Sequence, residues 1–111
     1  MGLLTIDVQE GLKRVRGNEK LYHRLLGTFS GRKLADQIAA ATQNNNHTEV
    51  ATAAHALKGV AANLSMHALA DIAGKIDHQA QAGQPASDLL EPLFESVTAV
   101  EQEVATILGR V

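Results

Sequence analysis

The 111-residue sequence holds no cysteine, no tryptophan, one tyrosine, two phenylalanines and two prolines. Without thiols there is neither a disulfide nor a thiolate metal site, and a reducing cytosol is permitted. Aromatic residues make up 3% of the chain and hydrophobic residues 45%, so the core must be aliphatic. An excess of Ala, Leu and Val favours helices over a sheet. The formal net charge is −2, which argues against nucleic acid, because neutralising several phosphates needs a basic face. No apolar run approaches the roughly 20 residues of a membrane span, and no signal peptide is visible at the start. The expectation is a monomeric domain in the cytoplasm, either free or as the cytoplasmic part of a membrane-bound protein, with no membrane contact of its own. One domain is expected over residues 1–111, large enough for a single core without staples.

What is present is amphipathic helix. Asp7-Val8-Gln9-Glu10 has the form of a capping box, an Asp cap with Glu three positions later, and opens a short helix that ends near Arg16-Gly17. Asn18 caps a second helix, predicted to pack through Leu21, Leu25 and Phe29. Ser30-Gly31 marks a break or a kink, and Leu34, Ile38 and Ala41 form the stripe of a third segment. Asn44-Asn45-Asn46 is a polar turn, and the next helix starts near His47 or Thr48. Met66, Leu69, Ala73, Ile76 and Ala80 then repeat with heptad spacing up to Gly83. Leu90, Leu93, Val97, Val100, Val104 and Ile107 carry the same spacing through the last helix. Pro92 has no N–H and fits badly in a helix interior, so a distinct turn is expected before it, with the regular helix from there on. Four such segments with short connections give an all-α fold, an antiparallel four-helix bundle with short additional N-terminal helices.

The stretch Ala54-His55-Ala56-Leu57-Lys58-Gly59, continuing to Ser65, has two clean faces at about 100° per residue. Val50, Ala53, Ala54, Leu57, Ala61 and Leu64 share one side. His55 points roughly 140° away from the middle of that stripe. Its neighbours on the outer face are Ala51, Thr52, Lys58, Gly59 and Ala62, all small except Lys58. A glycine inside a helix costs about 1 kcal/mol relative to alanine. At i+4 from His55, Gly59 removes the side chain that would crowd the ring. Two explanations stand: clearance for an approaching molecule, or a surface histidine beside a helix-packing glycine.

His55-Ala56-Leu57-Lys58-Gly59 followed by Leu64 resembles the signature of histidine-containing phosphotransfer (HPt) domains. Gly11-Leu12 through Asn18-Glu19-Lys20-Leu21-Tyr22 also reads like that family's first two helices. Ser65 departs from the pattern, since many members have Gly there, which puts the local turn in question. The resemblance implies a phosphorelay intermediate, with no catalytic activity of its own. It would take a phosphoryl group on His55 from a receiver-domain aspartate and pass it to another response-regulator receiver. Lys58 would neutralise charge on the phosphoryl oxygens, Gly59 would give clearance, and Ala51 and Ala62 would form a flat docking platform framed by Leu12 and Val15. The chain itself would need no cofactor, magnesium being supplied by the partner receiver. Histidine kinases are the other implied partner, and the domain could be a free-standing protein or part of a hybrid kinase.

Neutral imidazole is a nucleophile near pH 7, and no phosphate-binding glycine loop or Walker-type lysine is present to hold nucleotide. Such an imidazole usually needs its second nitrogen oriented. Asp77, on the following helix, stands where related phosphotransfer domains often carry Gln or Glu. It would hold the ring tautomer there, or it would pair with Lys75 or His78 along its own helix. His47 is placed at a helix start, and His23, His67 and His78 on the solvated surface. His67 and His78 lie about three turns apart, too far to share a metal ion, so no metal site is expected. Asp71 and Lys75 have the spacing of an i, i+4 pair, and Arg14, Arg16, Lys20 and Arg24 read as a solvated basic face. Two further functions stay open: the phosphorylatable P1-type domain of a chemotaxis-like histidine kinase, and a helical interaction scaffold without phosphate chemistry.

Overall fold

In the computed structural model, residues 5–109 are described, and all regular structure among them is helical. The order is α1 (Val8–Arg14), α2 (Glu19–Gly27), α3 (Gly31–Gln43), α4 (His47–Asn63), α5 (His67–Gln81), a 3₁₀ turn (Ser87–Leu89) and α6 (Leu90–Ile107). Residues 1–4 and 110–111, the ends of the span expected as one domain, lie outside the described residues.

Helices α3 to α6 pack in a closed ring, α3 on α4, α4 on α5, α5 on α6 and α6 on α3. This is the four-helix bundle expected from the apolar stripes. Its core is aliphatic: Ile38, Leu57, Met66, Leu69, Ile76, Leu93, Val97 and Val100 are fully buried. Met66, at the N-cap of α5, and Leu69, Ala73, Ile76 and Ala80 within it are all inside. Leu93, Val97, Val100 and Val104 of α6 are buried, while Leu90 and Ile107 at its two ends are half-exposed. The turn required by Pro92 is the 3₁₀ segment Ser87–Leu89. The expected helix start at Pro92 is corrected: regular helix resumes at Leu90, which places the proline in the first turn, where N–H groups lack intrahelical partners anyway.

The face expected for α2 is corrected. Tyr22 and Leu26 are the buried pair, whereas Leu21 and Leu25 are exposed (36% and 37%) and Phe29 lies beyond the helix, half-buried. Both pairs have i, i+4 spacing one residue out of step, and only packing decides between them. Tyr22 is the wedge that decides it. Its ring lies against Gly11 of α1, where an added Cβ would sit 2.5 Å from Cζ and Oη. Burial, helped by the Asp7 and Glu103 carboxylates, holds its phenol above the ordinary tyrosine range. Helices α2 and α3 are separate, divided at Thr28–Ser30.

α1 is latched to the α4–α5 turn. Asp7 Oδ1 accepts from Glu10 N (3.1 Å), the first half of a capping box. Glu10 does not close the box. Its Oε1 instead accepts from Ser65 Oγ (2.9 Å) and faces His67 Nε2 (2.9 Å) and Arg14 (3.6 Å), while Asp7 N donates to Ser65 O. Ser65 is fully buried with φ +61°, the left-handed conformation that glycine takes without cost. The turn is thus the one Gly would make, and the hydroxyl supplies a hydrogen bond that Gly could not. His67 is half-exposed but paired, not merely solvated.

Candidate functional site

Asn46 fixes where the site helix starts. Its Oδ1 accepts from Glu49 N and its Nδ2 donates to Glu49 Oε2, both at 3.1 Å, so α4 begins at His47. From there the apolar stripe settles the helix rotation: Val50, Ala53, Ala54, Leu57 and Ala61 are buried. His55 is thereby held outward, its side chain 79% exposed.

α5 runs antiparallel to α4, so each step forward on one matches a step back on the other. His55 meets Asp77, with Nδ1 3.5 Å from Oδ2. That distance is within ion-pair reach but longer than a formed hydrogen bond. The Asp77 side chain is only 11% exposed, so the carboxylate needs partners. One is Gln81, whose Nε2 donates to Oδ1 at 2.8 Å. Neither Lys75 nor His78 pairs with it, and Asp71 and Lys75 form no ion pair among the described residues. Asp77 thus faces His55 across the two helices rather than a basic neighbour on its own helix. The orphan nitrogen of the ring is then Nε2.

Three residues earlier on α5, Gly74 lies under Lys58. The lysine stem lies alongside the glycine, with Cδ, Cε and Nζ at 3.6, 3.7 and 3.9 Å from the position of a Cβ. Lys58 is exposed as expected, yet it leans across α5 rather than standing free. At Gly59 a Cβ would meet nothing within 4 Å, which removes helix packing as the reason for that glycine.

Beside the ring, His47, Thr48, Ala51, Thr52, His55, Asp77, Ala80 and Gln81 line a shallow groove of about 450 Å³. Ala51 belongs to it. Ala62, half-buried two turns beyond His55, and Leu12, half-buried against the core on α1, do not. Val15 lines a separate groove with Arg14, Leu25, Thr28, Val60, Asn63 and Leu64. Sequence reasoning missed Gln81 and Gly74. The signal for both was there: once His55 is set against Asp77, antiparallel register places Gly74 beside Lys58, and Gln at i+4 from Asp is a helical hydrogen-bonding pair.

Away from this face, ligand atoms of Asp7, Glu10 and His67 lie within 4.8 Å of one another. Each already has a partner in the α1 latch. No helix among the described residues is long and apolar enough to cross a membrane.

A family model described as the Hpt domain matches residues 28–109, beginning just after α2 and covering the whole bundle. The chain belongs to the Hpt domain family. It is therefore a histidine-containing phosphotransfer domain of two-component signalling, a family of phosphoryl carriers rather than catalysts, working with receiver domains and kinases. No curated protein and no solved structure matches it significantly. The likeness of α1 and α2 to the family's first two helices lies outside the matched span.

Proposed function

We propose that His55 is the phosphoryl acceptor of a phosphorelay intermediate that receives from a receiver-domain aspartate and passes the group to a second receiver. The observation that carries this is the ring itself: standing off the bundle with Nδ1 turned to an almost buried carboxylate, it keeps Nε2 without a partner among the described residues. In the acceptor step the Nε2 lone pair forms the P–N bond as the P–O bond of the receiver's acyl phosphate breaks. The electron pair leaves with the aspartate carboxylate. The ring takes on positive charge, which Asp77 meets through the proton on Nδ1. Lys58, whose stem lies over Gly74, offsets charge on the phosphoryl oxygens. Magnesium and most of the remaining electrostatics belong to the receiver, and the chain acts as a monomer in the cytoplasm. Ala51, Gly59 and Ala62 leave the face low enough for a receiver to come close, and Leu12 frames it from α1.

Incubation with a radiolabelled phospho-receiver tests the proposal. Acid-labile label that is absent in His55→Gln supports it. Absence of label with every receiver offered leaves a helical scaffold. Label arriving only from the ATP-binding domain of a kinase identifies a P1-type domain of a chemotaxis-like kinase, a reading kept alive by the carboxylate, rather than an amide, at Asp77.

A further inference from the structure

The geometry points to Gln81 as a positioning residue for the His55 ring, acting through Asp77. This rests on the reading of His55 as phosphoryl acceptor and deepens it. A carboxylate turns about its Cβ–Cγ bond, and its broad, roughly two-fold preference gives that rotation little rigidity of its own. Among the described residues Asp77 is hydrogen-bonded at one oxygen only, by the Gln81 amide at 2.8 Å. With Oδ1 so engaged, Oδ2 is the oxygen presented to His55 Nδ1. Both residues lie on α5 one turn apart, so helix geometry fixes the amide before any partner arrives.

Gln81 Nε2–Asp77 Oδ1 is a formed hydrogen bond and His55 Nδ1–Asp77 Oδ2 a looser contact at 3.5 Å, and donor inventory gives the direction of each. An ionised carboxylate only accepts, so Gln81 must offer its NH₂ and His55 must offer Nδ1–H. Gln81 therefore selects a tautomer at two removes. Fixing the carboxylate favours the proton on Nδ1, and that choice leaves the lone pair on Nε2, the nitrogen open to a partner. Packing alone does not account for Gln81. It is exposed, it ends α5, and the groove beside His55 is the space its side chain borders.

The test is nitrogen NMR of the imidazole in the full chain, uniformly labelled with ¹⁵N and unphosphorylated, at a pH where the ring is neutral. Two-bond proton–nitrogen couplings report which ring nitrogen carries the proton. The native chain should show one tautomer, protonated on Nδ1. Gln81→Met keeps length and helix propensity but has no donor. It should lose the single-tautomer signature and move toward the mixture of free histidine, and the rate of label transfer from a phospho-receiver should fall about tenfold. Gln81→Lys restores a donor at similar reach and should keep the Nδ1–H form. In an Asp77→Asn background the Gln81→Met effect should vanish, because the two act in series. An unchanged tautomer in Gln81→Met overturns the assignment, as does a native ring with no tautomer preference. The reading is made without phosphate, so a chain that takes no label from any receiver defeats the phosphotransfer proposal and leaves the tautomer result to be judged alone.

Discussion

Two pairs of glycines sit inside or at the start of helices, and they answer to different demands. Gly11 and Gly31 are filled in by neighbours: a Cβ on the first would enter the Tyr22 ring, and on the second would lie 2.8 Å from Phe29 Cε1 and Cε2. Gly59 and Gly74 are not: the first faces open space, and the second would meet only the Lys58 stem at ordinary contact distance. Glycine costs about 1 kcal/mol in a helix wherever it stands. At Gly11 and Gly31 aromatic packing offsets that cost within the chain. At Gly59 no neighbour among the described residues does. Fold and site are separable here residue by residue.

The largest expected effect is on the packed side of this divide. Gly11→Ala should destabilise the protein by roughly 1–3 kcal/mol, the cost of overpacking a fixed core, since Tyr22 is 1% exposed and has nowhere to move. Urea unfolding with a lowered midpoint and an unchanged slope would show it. A neutral result would mean that Tyr22 is not the wedge described above. On the open side, Lys58→Ala should slow phosphoryl transfer about tenfold, or 1.4 kcal/mol in the barrier, with helical circular dichroism and melting unchanged. A marked loss of stability would move Lys58 from site to scaffold. Gly59→Ala should raise stability by about 0.5–1 kcal/mol while slowing transfer. A variant both more stable and as fast as the native chain would break the comparison. The smallest effect belongs to Ser65→Gly. It relieves a left-handed conformation that costs a non-glycine residue roughly 1–2 kcal/mol and gives up one hydrogen bond worth about 1 kcal/mol. Stability should therefore stay within about 1 kcal/mol of native. Ser65→Ala keeps the strain, loses the bond, and should melt lower than either.

How much of this was legible beforehand depends on whether a residue's role is set along one helix or between helices. The orientation of His55 follows from 3.6-residue periodicity, since α4 has an unbroken apolar stripe opposite it. The α2 face did not follow. Leu21 with Leu25, and Tyr22 with Leu26, satisfy the same spacing, and a propensity argument prefers the leucines. The outcome turned on Gly11, a residue on another helix that leaves a hole for a ring. The fate of Glu10 is similar. Its capping-box position is a local signal, yet a buried hydroxyl 55 positions away claims its carboxylate. Asp77 lies between these cases. Its candidacy could be named from resemblance, but its choice between His55 and its own helix needed the register of α5 on α4.

The sequence by itself determined the class of fold, the helix boundaries to within a residue or two, and the outward face that carries His55, because each depends on periodicity and capping within one segment. Only the tertiary structure decided that Asp77 turns to the imidazole, that Gln81 holds Asp77, that Lys58 rests over Gly74, and that Gly59 faces open space. Those are distances between segments, and they are set by how the side chains of several helices share one interior, a quantity no single stretch of chain contains.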